Sequence, residues 1–385
     1  MDYRYPADTD AFRQEVRRWL ADNLDDELRG LANRGAMEAE QLEALRAWNR
    51  RLAEAGYAAI SWPEEYGGRG AGVMEQVVLA EEMQRAEAPA ALNPIGLANI
   101  APSIMSWGTE EQKRTLLPRM RSGEDIWCQG FSEPDAGSDL ASLRTRAVED
   151  GDHFVVSGQK VWNTLGHYAD YCELLVRTDP DAPKHQGITC LLVDMHLPGI
   201  TVKPLVTLTG EAEFSEIFFD DVRVPRSALL GPVNRGWEVA MTTLSNERAG
   251  VANLHLGVRK KIARLIDAAK SQQADDRPVA LDPVARQSLA RLYLYGELQK
   301  ALADMCVAGE LNGRPPGAES SITKQCWSDV EQRIGEVSAA VLGPAARGGQ
   351  WGDNRLFSRS VSIAGGTTQI NKNIIARRVL GMPKG

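Results

Sequence analysis

The stretch of this sequence best suited to chemistry is a segment rich in hydroxyl groups and small residues. Residues 129–142 read Gln-Gly-Phe-Ser-Glu-Pro-Asp-Ala-Gly-Ser-Asp-Leu-Ala-Ser and directly follow the apolar run at 126–128. Small residues let backbone amides approach a planar ligand, and Ser132 and Ser138 can donate hydrogen bonds to its edges. The pattern therefore predicts a strand that ends in a ligand-binding loop.

A second candidate segment lies further along the chain. Residues 158–164 read Gly-Gln-Lys-Val-Trp-Asn-Thr. We expect a strand in which Trp162 supplies an aromatic face and Thr164 supplies a hydroxyl group. The two segments together favour a site that covers a planar ring and binds its polar edge.

One carboxylate interrupts an apolar helix face. Positions 240, 244, 247, 251, 254 and 258 follow helical spacing, and Glu247 is the only carboxylate among them. Burial raises the pKa of a carboxyl group, which suits it to accept a weakly acidic proton. The helix alone leaves a second interpretation open, in which Glu247 pairs with Arg248 or with an arginine one turn away on a solvated surface.

Five motifs, in one order along nearly the whole chain, resemble those of the acyl-CoA dehydrogenase family. They are Pro-Glu-Glu-Tyr-Gly-Gly from residue 63, the loop at 129–142, Phe-Phe-Asp-Asp-Val-Arg-Val-Pro ending at 225, Asn-Glu-Arg-Ala-Gly at 246–250 and Thr-Thr-Gln-Ile at 367–370. The sequence is therefore identified as a member of this family. Each motif alone would be a weak signal.

The resemblance implies a three-part acyl-CoA dehydrogenase fold. The expected parts are an N-terminal all-α domain over residues 1–124, a middle β-barrel-like domain over 125–228, and a C-terminal four-helix bundle over 229–385. Periodicity alone predicts only the order, because helical spacing of apolar residues gives way to short β-type runs and then returns.

The resemblance also implies that the chain binds FAD. The residues at the family's cofactor positions are Gln129, Phe131, Ser132, Gly137, Ser138, Trp162, Asn163, Thr164, Thr367, Thr368, Gln369 and Ile370. In the family the flavin lies between the middle domain and the C-terminal bundle. We expect the same placement here.

The catalytic base departs from the commoner family pattern. Many members carry a glutamate just before the motif at 367–370, but here that position is Gly365, which cannot accept a proton. A minority place the base immediately before an arginine on another helix, and Glu247 matches that arrangement. The resemblance then implies that Glu247 removes the pro-R α-proton of an acyl-CoA thioester while the β-hydrogen leaves as hydride. The Gly365 backbone amide and a ribityl hydroxyl would stabilise the enolate-like oxygen.

The resemblance further implies a trans-2-enoyl-CoA product and an electron-transferring flavoprotein as electron acceptor. The glycines at 365 and 366 remove side-chain bulk and so hint at a branched or polycyclic acyl group, although they can equally serve a helix entry. An acyl-CoA oxidase, or a non-catalytic subunit that completes a partner's flavin site, stays open as an alternative.

Two segments that complete the flavin site in the family have lost their usual motifs in this sequence. In family homotetramers a neighbouring subunit supplies Arg-x-x-Phe-Gly and Gln-x-x-Gly-Gly segments to the cofactor. The corresponding stretches here are Asp-Arg-Pro-Val-Ala-Leu-Asp-Pro at 276–283 and Ala-Val-Leu-Gly-Pro at 340–344. We therefore expect a second, diverged acyl-CoA dehydrogenase-like chain in an α2β2 assembly, as in heteromeric members acting on steroid-derived CoA thioesters. A homo-oligomer with different loops is the alternative.

Composition disfavours several other classes. The chain has 385 residues, a formal charge of −8 and no dense basic cluster, which disfavours nucleic acid or an anionic membrane as a partner. We expect no membrane span, because no apolar run approaches roughly 18 residues. The five cysteines and five histidines show no metal-ligand spacing, so we expect no metal site. The acidic N-terminus lacks an apolar signal segment, which favours a cytoplasmic protein.

Overall fold

The computed structural model describes residues 7–31, 37–247, 253–314 and 317–383 of the chain, except for the side chains of Ala7, Asp8 and Glu247. The chain divides into two compact units, Met1–Glu247 and Arg248–Gly385. The first unit contains helices followed by a sheet and one further helix, and the second is almost entirely helical.

Among the described residues of the first unit, five α-helices precede the sheet. They are α1 (Ala7–Asn23), α2 (Ala39–Glu54), α3 (Val73–Arg85), α4 (Ala101–Trp107), which continues a π-helical turn at Gly96–Ile100, and α5 (Glu110–Ser122). Local sequence fixes the ends of α5. Thr109 and Gln112 bond each other's backbone N–H groups at its start, and Gly123 ends it with φ of 76°.

An eight-stranded sheet follows. Its strands are β1 (Trp127–Gly130), β2 (Arg146–Asp150), β3 (His153–Thr164), β4 (Tyr171–Arg177), β5 (Ile188–Asp194), β6 (Ile200–Leu205), β7 (Phe214–Pro225) and β8 (Leu229–Leu230). The strand order is β6-β7-β3-β2-β4-β5-β8, and β1 pairs with β4. The β1–β4 pair is parallel, as is a single pairing between β2 and β4, and the other neighbours are antiparallel.

Strands β4 and β5 are buried on both faces along nearly their whole length, which explains their near-continuous apolar runs. Along β4, Cys172, Leu174 and Val176 join one apolar core with residues of the neighbouring strands. Leu175, on the opposite face, belongs to a second core that also contains residues of α4 and α6 (Gly236–Glu247). Alternation along the strand thus places residue 173 between the sheet and α6.

The second unit is a helical assembly with its own apolar core. Its helices are α7 (Leu254–Ser271), α8 (Pro283–Leu311), α9 (Ser320–Leu342), α10 (Gly349–Phe357) and α11 (Thr368–Ile374), which continues into a π-helical turn at Ile375–Val379. A short hairpin, β9 (Gln273–Ala274) and β10 (Arg277–Pro278), joins α7 to α8. Asp282 caps α8 by accepting hydrogen bonds from two backbone N–H groups.

The residues of the predicted apolar stripe fall on α6 (Gly236–Glu247) and α7 (Leu254–Ser271), and Val251, between them, lies outside the described residues. Ala240 and Val258 are buried, as the spacing predicts. None of the helices in the described part of the chain is long and apolar enough to cross a membrane.

Candidate active site

The predicted ligand loop connects β1 to β2 and is closed by backbone hydrogen bonds. Glu133 and Ala136 each donate an N–H to the other's carbonyl, both at 3.1 Å. The Val161 N–H of β3 donates to the Ser132 carbonyl at 3.0 Å. The loop is therefore fastened to the neighbouring strand by its own backbone, which leaves its side chains available.

The predicted cofactor residues of this loop differ in accessibility. Ser138 and Gly137 are exposed, and Ser132 is half-buried. A Cβ atom added at Gly137 would meet nothing within 4 Å, so the backbone there is open to approach. Phe131 is instead buried in the apolar core between the sheet and the helices. The Phe131 side chain thus stabilises the loop by packing into that core.

A buried ion pair anchors the loop. Lys160 on β3 is fully buried, and its Nζ donates to Glu133 Oε1 at 2.8 Å and to the Phe131 carbonyl at 3.0 Å. The Glu133 carboxylate also accepts the backbone N–H groups of Arg144 and Thr145, at 2.7 and 2.8 Å. One carboxylate therefore holds both ends of the loop.

Burial and pairing shift both partners of this ion pair. Burial favours the neutral form of Glu133, but the Lys160 charge and the hydrogen bonds outweigh it and lower the pKa of the carboxyl group. Burial also lowers the pKa of Lys160, and the opposing charge of Glu133 offsets only part of that effect. The hydrogen bonds around Glu133 favour an ionised pair at neutral pH.

Trp162 lies on a β-bulge between β3 and β7. Two residues of β3, Val161 and Trp162, lie opposite the single residue Glu216 of β7. Trp162 adopts φ of 65°, which is costly for a bulky residue. Its indole is 56% exposed and is supported at one edge by the Phe214 ring at 5.8 Å. The bulge thus leaves the aromatic face of Trp162 largely exposed.

Two buried amides beside the loop carry unpaired polar atoms. Asn163 Nδ2 donates to the Gln129 carbonyl at 2.5 Å. Asn163 Oδ1 and Gln129 Nε2 are buried and have no hydrogen-bond partner among the described residues. Thr164, at the end of β3, is half-buried. Asn163 and Thr164 directly follow Trp162 on β3 and bring an acceptor and a hydroxyl group, while Gln129 brings a donor on β1, a set that fits a planar ligand with a polar edge.

The predicted base lies on α6. Glu247 is the last residue of this helix that the structure describes, and its side chain lies outside the described residues. One turn earlier, Thr243 is buried, and its hydroxyl donates to Glu173 Oε1 on β4 at 2.8 Å. The final turn of the helix is thereby tied to the sheet.

The second unit contributes a glycine turn. Gly365 and Gly366 have φ of 64° and 90°, conformations that only glycine adopts at little cost. The Gly366 carbonyl accepts hydrogen bonds from Lys324 Nζ at 2.8 Å and from Asn371 Nδ2 at 2.7 Å. Lys324 is buried and also donates to the Val361 carbonyl at 2.9 Å. The turn is therefore held from α9 and from α11.

The motif at 367–370 begins α11. The Thr367 hydroxyl accepts the Ile370 N–H at 3.2 Å and so caps the helix. Thr367 and Thr368 are half-buried, whereas Gln369 and Ile370 are exposed. The capping bond uses the Thr367 oxygen as acceptor, which leaves its hydroxyl proton available to a ligand.

The predicted site residues form two groups. Those between residues 129 and 164 lie together on β1, the loop after it and the end of β3. Gly365 and the residues from Thr367 to Ile370 form one turn and helix start in the other unit. Among the described residues, no cluster of three or more histidine, cysteine or acidic side chains is placed to hold a metal ion.

Sequence reasoning missed four polar residues that support these groups. Lys160 and Glu133 were visible only as members of motifs, and their pairing spans two segments of the chain. Lys324 lies in a helix with no motif of its own. Glu173 opens an apolar run that identifies a strand, and its burial follows only from the helix packed above it. Each is detectable in the sequence only as a charged residue whose neighbours give no sign of its partner.

Comparison with known proteins assigns the three segments of the chain. Residues 6–124 match the acyl-CoA dehydrogenase N-terminal domain, residues 128–222 the middle domain, and residues 234–380 the C-terminal domain. These matches cover most of the sequence, so the predicted family and fold class are confirmed.

Individual relatives agree with this assignment. The chain is 40% identical to the acyl-CoA dehydrogenase IpdE1 of Mycobacterium tuberculosis, with 98% of each chain covered. It is 39% identical to IpdE1 of Mycolicibacterium smegmatis, with 97% of each covered. A solved structure of the Tcur3481-Tcur3483 steroid ACAD covers all of both chains, with a TM-score of 0.87 and 32% identity. The ChsE4-ChsE5 complex from Mycobacterium tuberculosis does likewise, with a TM-score of 0.84 and 30% identity. The chain belongs to the acyl-CoA dehydrogenase family, a class of FAD-dependent enzymes.

Proposed function

We propose that this acyl-CoA dehydrogenase binds FAD and converts an acyl-CoA thioester to the trans-2-enoyl-CoA, with Glu247 as base and the Gly365 amide as the donor to the thioester oxygen. The observation that carries the proposal is the family's cofactor motif built around an exposed indole. When bound, FAD supplies the acceptor for the β-hydrogen as hydride.

The cofactor surface on β1 and β3 suits an isoalloxazine ring. The indole of Trp162 offers a flat apolar face, and the loop offers the hydroxyl groups of Ser132 and Ser138. Gln129 and Asn163 bring one donor and one acceptor that lack partners among the described residues. Such buried polar atoms are costly unless a ligand or water satisfies them. These residues would orient the ring, and none of them needs to move a proton.

The proton-accepting role of Glu247 is supported by its position. It is the last described residue of α6, a helix that packs Val239 and Ala240 into the apolar core and ties Thr243, one turn earlier, to the sheet. A carboxylate that loses water when substrate binds gains affinity for protons, which would match it to a thioester α-proton. Gly365 carries no carboxylate, so Glu247 is our candidate among the family's two positions for the base.

The Gly365 amide would hold the thioester oxygen as negative charge develops there. Its turn is fixed by Lys324 and Asn371, which both donate to the next carbonyl. A donor that is fixed before the reaction needs no reorganisation and so stabilises the developing charge most effectively. The absence of side chains at 365 and 366 leaves room for a bulky acyl group. A steroid-derived acyl group is our proposal, in line with the likeness of the chain to a steroid ACAD.

We further propose a second acyl-CoA dehydrogenase-like subunit in an α2β2 assembly, and an electron-transferring flavoprotein as acceptor. α8 exposes an apolar face that includes Leu294, Leu298 and Met305, which are 67%, 48% and 64% exposed. Exposed apolar stripes of this kind mark interaction surfaces. Residues 276–283 form part of a short hairpin, a capped turn and the first residue of α8, and the family's Arg-x-x-Phe-Gly segment is absent from them.

Replacing the proposed base tests the catalytic role. Glu247→Gln removes the proton acceptor while keeping the shape, so we expect turnover to fall by about a hundredfold or more. The measurement is reduction of an artificial electron acceptor with straight, branched and steroid-like CoA thioesters. Glu238→Gln is the matched control, because Glu238 lies on the same helix in an exposed pair with Arg235. FAD content is measured in parallel and should match in both variants.

The outcomes separate the alternatives. Unchanged turnover in Glu247→Gln would support a non-catalytic subunit and reject our assignment. Peroxide formation during turnover would indicate an oxidase. The same preparations test the partner, since a chain purified alone with one FAD per subunit and full activity contradicts the two-subunit proposal.

A further inference from the structure

A buried carboxyl group outside the family motifs lies between the sheet and α6. Glu173 on β4 is fully buried on the face that packs against α4 and α6. Its Oε1 accepts the Thr243 hydroxyl at 2.8 Å, and the Thr243 oxygen is 2.7 Å from the Ser103 oxygen of α4. Glu173 Oε2 has no hydrogen-bond partner among the described residues. A buried polar atom in that condition needs an explanation.

The neighbouring strand offers a partner for that atom. Glu173 is in register with Gln129 in the parallel β1–β4 pair, so both side chains point to the same face. Gln129 Nε2 is also buried and unpartnered among the described residues. The oxygen and nitrogen of a glutamine amide are interchanged by a half-turn. As the amide stands, its nitrogen makes no hydrogen bond to Glu173 Oε2. The half-turn would bring the Gln129 oxygen, an acceptor, to the nitrogen's position on the face that Gln129 shares with Glu173.

Protonation makes the two groups complementary. Burial raises the pKa of Glu173 to about 8, and the Thr243 hydrogen bond offsets part of that effect. Among the described residues, two thiols lie close to it: Cys190 on β5, with its sulfur 4.0 Å from Oε1, and Cys172, the preceding residue of β4, which points to the opposite face. Burial raises the pKa of both thiols as well, so neither supplies a charge at neutral pH.

We propose that Glu173, as a neutral carboxylic acid, is a positioning residue that ties the Gln129 amide on β1 to Thr243 on α6. Oε1 accepts from Thr243, and the Oε2 hydroxyl donates to the Gln129 amide oxygen. The amide nitrogen of Gln129 is then turned away from Glu173, and we expect it to donate to a ligand. This inference rests on the proposed function, because it names a support for the base and the cofactor strand.

The tether has a direct consequence for the reaction. Glu247 follows Thr243 by one helical turn, so the hydrogen bond to Glu173 sets where the end of α6 lies relative to the sheet. Gln129 opens the loop that is expected to hold the flavin. A single proton thereby couples the position of the base to that of the cofactor surface. Ionisation of Glu173 removes the donor to Gln129 and leaves a buried charge.

The first test compares two substitutions. Glu173→Gln keeps an acceptor for Thr243 and a donor for Gln129, so we expect kcat within about threefold of the parent near pH 7. Glu173→Leu fills the space without either bond, and we expect kcat to fall by about tenfold or more while KM changes less. Thr243→Val removes one bond at similar volume and should resemble Glu173→Leu, which keeps the test valid if the leucine variant does not fold.

The second test needs neither activity nor bound FAD. A glutamate in an unfolded chain has a pKa near 4.3, whereas folded Glu173 titrates at about 8. Between these values the folded state binds more protons, so stability should fall as pH rises across that window. Glu173→Gln should lack this decline in denaturant titrations of the FAD-free protein. Glu149→Gln, at an exposed pair with Arg226, should retain it.

The outcomes decide the proposal and separate it from the assignment of Glu247. A decline of equal size in Glu173→Gln and the parent, or a glutamine variant as slow as the leucine variant, overturns the tether. Suppose that Glu247→Gln remains active, and that Glu173→Gln also keeps full activity but loses the pH dependence of stability. The assignment of Glu247 as base then fails, whereas the neutral, buried state of Glu173 is supported.

Discussion

The two compact units each bury a lysine beside a candidate site segment, but they hold it differently. Lys160, in the first unit, pairs with the carboxylate of Glu133. Lys324, in the second, donates to the carbonyls of Val361 and Gly366. The first lysine joins a strand to a loop through an ion pair. The hydrogen bonds described for the second lysine hold the backbone of a turn.

This difference indicates which part of the site tolerates change. A buried ion pair costs solvation free energy on both sides, so removing one partner leaves an uncompensated charge. A carbonyl oxygen that loses one hydrogen-bond donor remains hydrogen-bonded if a second donor is present. Val361 still accepts from the Ser328 hydroxyl at 2.8 Å, and Gly366 from Asn371 at 2.7 Å. We therefore expect substitution of one partner of the Lys160–Glu133 pair to destabilise the loop strongly. Loss of one donor to the glycine turn should have a smaller effect.

The largest effect is expected for Lys160→Met. The substitution leaves the Glu133 carboxylate buried beside the Arg144 and Thr145 amides without its cation. We expect a loss of about 3–5 kcal/mol in the free energy of unfolding, together with loss of FAD, because the loop that carries Ser132 is no longer anchored. Chemical denaturation and flavin absorbance measure the two quantities.

A surface ion pair between Asp139 of this loop and Lys184, which lies between β4 and β5, provides the control. Lys184 contacts Asp139 at 2.5 Å, and both side chains are about half exposed. Lys184→Met should cost less than about 1 kcal/mol and leave FAD content unchanged. The double variant Lys160→Met with Glu133→Gln should recover part of the stability, because the buried charge is gone. Equal losses for Lys160→Met and Lys184→Met would contradict the comparison.

A smaller effect, of a different kind, is expected for Lys324→Met. Both carbonyls keep a second donor, so we expect a loss of about 2 kcal/mol in the free energy of unfolding. Turnover should fall more clearly than FAD content, since the turn that presents the Gly365 amide loses one of its supports. Stopped-flow reduction of the bound flavin by substrate, beside flavin absorbance, distinguishes these two outcomes.

The control for this lysine lies on α8. Lys300 pairs with Asp304 one turn away at 2.6 Å and is partly exposed, so Lys300→Met should change stability by less than about 1 kcal/mol. Turnover should stay at the parent level. A Lys324 variant that loses FAD as completely as Lys160→Met would remove the distinction between the two lysines.

The sequence predicted the elements of the site better than their supports. The strand before the loop follows from an apolar run that ends in small polar residues, and the caps at Thr109 and Thr367 follow local rules. These features depend on residues close in the chain. The order of helices and strands is predictable for the same reason, since periodicity is local.

The supports depend on contacts between distant residues. Lys160 and Glu133 are paired between a strand and a loop, and neither residue type predicts burial. The positive φ of Trp162 arises from a bulge whose register is set by β7. Glu173 is buried because α6 covers that face of β4. Such positions are fixed by tertiary packing, which a single sequence does not reveal.

The smallest effect is expected for Gly366→Ala, which tests the backbone conformation of the glycine turn. Gly366 has φ of 90°, and an added Cβ would lie 3.2 Å from Asn371 Nδ2. We expect a loss of about 1 kcal/mol from the backbone conformation, with a modest fall in turnover as the Gly365 amide turns. Gly257→Ala is the contrasting variant: the added Cβ meets nothing within 4 Å in α7, so it should gain up to about 1 kcal/mol. Thermal unfolding resolves these opposite signs. If Gly366→Ala proves as damaging to stability as Lys160→Met, the glycine turn is as rigid as the loop, and the contrast between the two units disappears.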